Sequence, residues 1–165
     1  MGQPLPAQAF ATTHWSVVVA AGGEDSADAR AALSRLCQTY WYPLYAYIRR
    51  KGRSPQDAED LAQAFFVECI EHRWFARADQ ARGRFRSFLL MALDRFLANE
   101  WDKAQTLKRG GHLRLVPLVM ENAEDRFSRE PVDAATPEQH FERQWALTVL
   151  EQVLAGLREE YAARS

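Results

Sequence analysis

Cysteine, glycine and proline are all sparse in this chain of 165 residues, at two, eight and seven. Cys37 and Cys69 stand in apolar surroundings with no C-x-x-C pair and no Cys/His spacing, which argues against a disulfide framework or a zinc site. Buried free thiols in a reducing compartment are the expectation. Few Gly, few Pro and only short β-like runs point to an all-α protein. No apolar run approaches the roughly 20 residues of a membrane helix. Met1 to Phe10 has neither the basic start nor the apolar segment of a secretory signal, so a cytoplasmic chain with no membrane attachment is expected. Catalytic signatures are missing as well: there is no GxxxxGK[ST], GxSxG or HExxH. His14, His72, His112 and His140 are scattered without ligand spacing. Asp57, Glu59 and Asp60, on one turn, read as a solvated or partner-facing surface rather than an ion site. The chain is thus expected not to be an enzyme and to need no cofactor or metal.

What is present is a core and a segregation of charge. Hydrophobic residues make up 47%, enough for one domain or a domain with a helical extension. The net charge of −1 would by itself argue against a nucleic-acid partner. It conceals opposite halves, however. Between positions 82 and 109 stand Arg82, Arg84, Arg86, Arg95, Lys103, Lys108 and Arg109 against three acids, whereas Glu121 to Ser165 holds ten acids and five bases. A basic face on a near-neutral chain can still hold phosphates.

Taken in order, Met1 to Ala11 reads as a loose tail. Thr12 to Ala21 is either a β-branched strand or a short helix docked by Trp15, and its helical neighbours favour helix. Gly22-Gly23 ends it. A long helix from Ser26 or Asp28 carries Leu33, Leu36, Cys37, Tyr40, Leu44, Tyr47 and Ile48 as a core stripe, with Pro43 a point of kinking and Gly52 the stop. Ser54 as cap, Pro55 at the first position and acids in the first turn start the next helix, which runs to about Arg73. From Gln56 to Glu71 it has five acids (Asp57, Glu59, Asp60, Glu68, Glu71) and no Lys or Arg. A loop rich in aromatic and basic residues, Trp74 to Gly83, leads to a helix from Arg84 to Leu107, closed by Gly110-Gly111. Its apolar stripe is Phe85, Phe88, Leu89, Ala92 and Phe96. Arg84, Met91, Arg95, Asn99 and Thr106 share another face, and Trp101 lies roughly opposite Phe85. Leu113 to Leu118 reads as extended and Glu121 to Thr136 as a polar linker. Thr136-Pro137 caps a last helix whose stripe is Phe141, Trp145, Thr148 or Val149, Val153 and Leu157.

Three of these stretches, in this order, resemble bacterial RNA polymerase sigma factors of the extracytoplasmic-function type. They are Leu36 to Arg50 (LCQTYWYPLYAYIRR), Ser54 to Phe66 (SPQDAEDLAQAFF) and Arg82 to Leu90 (RGRFRSFLL). The opening Thr12 to Val18 is similar to one subgroup. The resemblance covers about Thr12 to Gly111, region 2 of that family, and implies an all-α helical bundle with 112–136 as linker and 137–165 as a C-terminal helical extension. It also implies a transcription initiation factor that binds core RNA polymerase and recognises and melts the promoter minus-10 element. The helix carrying Asp57, Glu59, Asp60, Leu61, Gln63 and Phe65 would bind the clamp helices of the largest polymerase subunit. The loop with Trp74 and Phe75, together with Arg82, Arg84, Arg86, Arg95, Asn99, Trp101 and Lys103, would hold the non-template strand of promoter DNA. That assignment suits the chemistry: cations neutralise phosphates, aromatics stack on extruded bases and Asn reads a base edge.

A family member of full length carries a second, helix-turn-helix domain that reads the minus-35 element, and the last helix here resembles the segment leading to it. This departure keeps a second reading open, a module that docks on polymerase or on an anti-sigma protein without opening DNA. A monomer is expected when the chain is free. Five large apolar side chains on the last helix need a cover, and docking back on the same chain is the expected one, because a 16-residue linker gives it a millimolar effective concentration.

Overall fold

The computed structural model describes residues 15–23, 26–106 and 122–164. Among them there are helices and turns and no strand. The helices are α1 (Trp15–Ala21), α2 (Ala27–Arg50), α3 (Pro55–Glu71), α4 (Phe85–Thr106), α5 (Ala123–Ser128) and α6 (Pro137–Ala163), with 3-10 turns at Trp74–Arg77 and Gln80–Arg82 between α3 and α4. Of the two readings of Thr12 to Ala21, helix is the one found over α1. The tail to Ala11, the Trp15 side chain and the extended stretch expected at 113–118 lie outside the described residues.

Local chemistry sets most boundaries. Ser26 Oγ accepts from the Ala29 N–H and Ser54 Oγ from the Asp57 N–H, which satisfies an orphan donor at the start of α2 and of α3. Gly52, at φ 90°, makes the left-handed turn between those helices that a side chain would strain. Thr136 and Gln139 form a reciprocal capping box on α6, with Pro137 in the first turn. Pro43 lies inside α2, which runs through it.

The residues group into two compact units. The first takes α2 up to Leu36, α3 from Ala64, the 3-10 turns and α4. Its core holds Phe65, Phe66, Cys69, Phe75, Phe85, Leu89, Leu93 and Phe96. Phe65 meets Phe66, Trp74 and Phe96 with ring centroids 6.0, 5.8 and 5.6 Å apart. The stripe of α4 is displaced from the expected one: Leu93 is fully buried, while Phe88 and Ala92 are only half-buried.

The second unit takes α2 from Cys37, α3 up to Gln63, α5 and α6. Here α2 is buried nearly all round, at Tyr40, Trp41, Tyr42, Leu44, Tyr45, Ala46, Tyr47 and Ile48, because α5 and α6 add apolar and acidic groups to it. Phe141 packs between Tyr40 and Tyr47, at 6.4 and 6.3 Å. Burial is possible for the tyrosines because their hydroxyls find carboxylates: Tyr42 donates to Glu130, Tyr45 to Glu124 and Tyr47 to Glu138. A helix at α5 within the stretch read as polar linker is therefore part of the packing. On α6 the expected cover in cis reaches Phe141, Trp145 and Thr148, and stops there. Val153 and Leu157 are 41% and 45% exposed, and Leu147, Leu150, Leu154 and Tyr161 are exposed with them.

Candidate polymerase and nucleic-acid surfaces

The acidic candidate is the first half of α3. Ala58 and Ala62 turn into the core of the second unit, which leaves Asp57 and Asp60 exposed and Glu59, Leu61 and Gln63 half-buried at the rim. Gln56 donates to Asp60 Oδ1 at 3.2 Å and steadies that carboxylate. Acids in the first turn meet the positive end of the helix dipole, so concentrating them there is locally favourable. Phe65, expected on the same contact surface, is fully buried in the aromatic cluster of the first unit. It holds α3 in place rather than touching a partner.

The second candidate is the α4 helix with the turns before it. Arg84, Arg95, Asn99, Trp101 and Lys103 are exposed, and Trp101 keeps 53% of its surface in solvent. Arg84, Met91 and Arg95 share a side of α4 away from Phe85, Leu89, Leu93 and Phe96, and Trp101 lies roughly opposite Phe85, whereas Asn99 and Lys103 fall nearer the direction of Phe85, beyond the end of the buried stripe. Lys103 also pairs with Glu100 at 3.1 Å. Two expected contacts are corrected by burial. Arg86 is 4% exposed and Phe75 is 3% exposed, with Phe75 packed on Phe85 at 6.0 Å, so both belong to the frame of this surface. Spacing alone gave no sign that one arginine of the Arg84-Phe85-Arg86 run would turn inward. The side chains of Arg82 and Thr106 lie outside the described residues.

The turn at Trp74–Arg77 is anchored from both ends. Arg73 adopts a left-handed conformation (φ 51°) and its Nη2 donates to the carbonyls of Gly22 and Gly23, at 3.1 and 2.9 Å. A Cβ on Gly22 would stand 2.8 Å from the Ala76 backbone, so the close approach of α1's end to this turn needs glycine. Trp74 is half-buried, edge-on to Phe65 and stacked with His72 at 6.5 Å. Such a seat presents part of an indole on a fixed turn, which suits stacking on a flat group.

The sequence reading did not pick out the ionic groups of the second unit. Arg49 holds Glu124 with Nε at 2.9 Å and Nη2 at 2.7 Å, and Arg50 holds Glu130 at 2.6 Å. Phe127 lies under both guanidinium groups, 4.7 and 5.3 Å from its ring centre. The Arg49 hydrogen bond holds the Glu124 carboxyl below its ordinary range, and burial followed by the Glu124 bond pushes the Tyr45 hydroxyl up. His140, buried on α6, has Nε2 2.9 Å from Asp133 Oδ1. Among the described residues no cluster of His, Cys, Asp and Glu could hold a metal ion, and no helix is long and apolar enough to cross a membrane.

Compared with known proteins, residues 36–106 match the family model of Sigma-70 region 2. The match begins within α2 and ends with α4, and so contains both candidate surfaces but neither α5 nor α6. No curated protein and no solved structure matches the chain.

Proposed function

We propose that this chain, whose residues 36–106 match the family model of Sigma-70 region 2, is a non-enzymatic transcription initiation factor of the extracytoplasmic-function type that binds RNA polymerase and captures the non-template strand of the minus-10 element. The observation that carries strand capture is the exposed Trp101 on the helix that presents Arg95, Asn99 and Lys103. A half-exposed aromatic on a helix that also carries exposed cations and an amide suits an unstacked base and its phosphates. Trp74, on its anchored turn, is the second stacking group, and Arg84 a further phosphate contact.

Polymerase binding is assigned to Asp57, Glu59 and Asp60, with Leu61 and Gln63 at the rim. Their charge, unrelieved by any Lys or Arg along α3, suits a basic partner surface such as the clamp helices of the largest subunit. Phe65, Phe75 and Arg86 support these surfaces from within.

Fluorescence anisotropy with labelled single-stranded and duplex minus-10 DNA tests the strand assignment. Single strand should bind better than duplex, weaken with salt, and lose about 1 to 3 kcal/mol on Trp101→Ala. Equal binding of both forms would sink strand capture. Asp60→Arg should weaken core polymerase binding by about 1 to 3 kcal/mol, and unchanged binding by the folded variant would remove α3 from the interface.

A further inference from the structure

Arg49 ties two distant parts of the chain together. Its Nη1 donates at 2.6 Å to the carbonyl of Arg53, the residue before Ser54, whose hydroxyl caps α3. The other two nitrogens used grip both oxygens of Glu124 on α5, and Tyr45 donates to the same carboxylate. Glu130, two residues beyond the end of α5, is held instead by Arg50 and Tyr42.

Resting on the reading that the first turns of α3 face polymerase, we propose that Glu124, acting through Arg49, is a positioning residue for polymerase binding. The region 2 match ends at position 106, so α5 is an addition to the matched domain that fixes the start of its polymerase-facing helix. The turn before that helix contains Gly52 at φ 90° and has little side-chain packing of its own, with Gly52 and Ser54 exposed. A guanidinium free to choose other partners would leave the Arg53 carbonyl to water and let the capping turn fray. Asp57, Glu59 and Asp60 would then have to be ordered at the moment of binding, and that ordering subtracts from affinity. Glu124 neutralises and orients Arg49, so that one fork serves both the carboxylate and the turn.

Glu130 supplies the control. It makes the same kind of contact, one arginine and one tyrosine, just after the same short helix, but neither partner is the arginine that holds the Arg53 carbonyl. Core RNA polymerase is titrated with the whole chain and its variants, and hydrogen exchange is followed at amides 57–60. Glu124→Gln and Arg49→Lys should each weaken binding about five- to tenfold, the scale of one lost charge-assisted hydrogen bond, and speed exchange at those amides. Glu130→Gln should leave affinity within about twofold. Should Glu130→Gln unfold, Arg50→Lys takes its place. Equal losses from Glu124→Gln and Glu130→Gln would mean that the α5 segment only stabilises the fold, and would overturn the proposal. So would an unchanged affinity in Glu124→Gln while Asp60→Arg binds poorly. Unchanged binding in Asp60→Arg sinks the polymerase reading of α3 itself, a distinguishable failure.

Discussion

Arg49 and Glu124, 75 positions apart, meet through two nitrogens at 2.9 and 2.7 Å, and the Tyr45 hydroxyl completes the carboxylate's coordination. One neutral donor and one fixed cation thus hold an acid that lies on a helix of only six residues. Such a helix is too short to persist without tertiary contacts.

Stability of the second unit should therefore fall at both ends of the pH scale. Glu124, Asp133 and Glu138 have lowered carboxyl pKa values in the folded chain, from the Arg49 bond, the Ala135 N–H and a backbone bond at Glu138 respectively. Their contribution is present above the unfolded carboxylate range near pH 4 and is lost as pH falls through the folded values. Tyr42 and Tyr45 are raised by burial and by their acid partners, so their contribution is complete below about pH 10 and fades as pH rises beyond it. Thermal midpoints from pH 3 to 11 should form a plateau with two falling flanks, and Glu124→Gln should flatten the acid one. A profile unchanged by that substitution contradicts the account.

The last helix is covered only at its start. Phe141→Ala should destabilise by about 3 to 5 kcal/mol, since it empties the space between Tyr40 and Tyr47. Leu157→Ala, at a solvent-facing position, should change stability by no more than about 0.5 kcal/mol. Urea unfolding followed by circular dichroism separates the two. A large loss from Leu157→Ala would reveal a cover over the second half of α6.

Gly22→Ala probes the anchoring of the Trp74 turn. The added carbon would meet the Ala76 backbone at 2.8 Å, and because backbone cannot rotate away, about 1 to 3 kcal/mol of strain is expected. Proteolysis should quicken within 73–78, and single-strand binding should weaken in step. Wild-type protection at these positions would show that the approach is looser than its geometry.

Cys37 is buried, and desolvation raises its thiol pKa to about 11. At pH 8 almost none of it is thiolate, so a disulfide reagent should label it only on opening of the fold. Rapid labelling at neutral pH in the native chain would contradict that burial.

Helix starts were legible in the sequence because caps are local. Ser54-Pro55 and Thr136-Pro137 carry their own hydrogen-bonding groups, and the structure uses them. The all-α class followed from periodicity for the same reason. The exposed candidates Asp57, Asp60, Arg95, Asn99, Trp101 and Lys103 could be read from charge and spacing along single helices. Neighbouring positions on one face were harder. Leu61 gave a stronger apolar signal than Ala58 or Ala62, yet the small residues are the buried ones, because close packing selects them by size. Arg86 and Phe75 turned inward, which no rule of composition foretells. The tertiary structure alone decided α5: six residues of polar sequence hold no helical period, and what makes them a helix is Arg49, Arg50, Tyr42 and Tyr45, supplied by α2 from some eighty residues earlier.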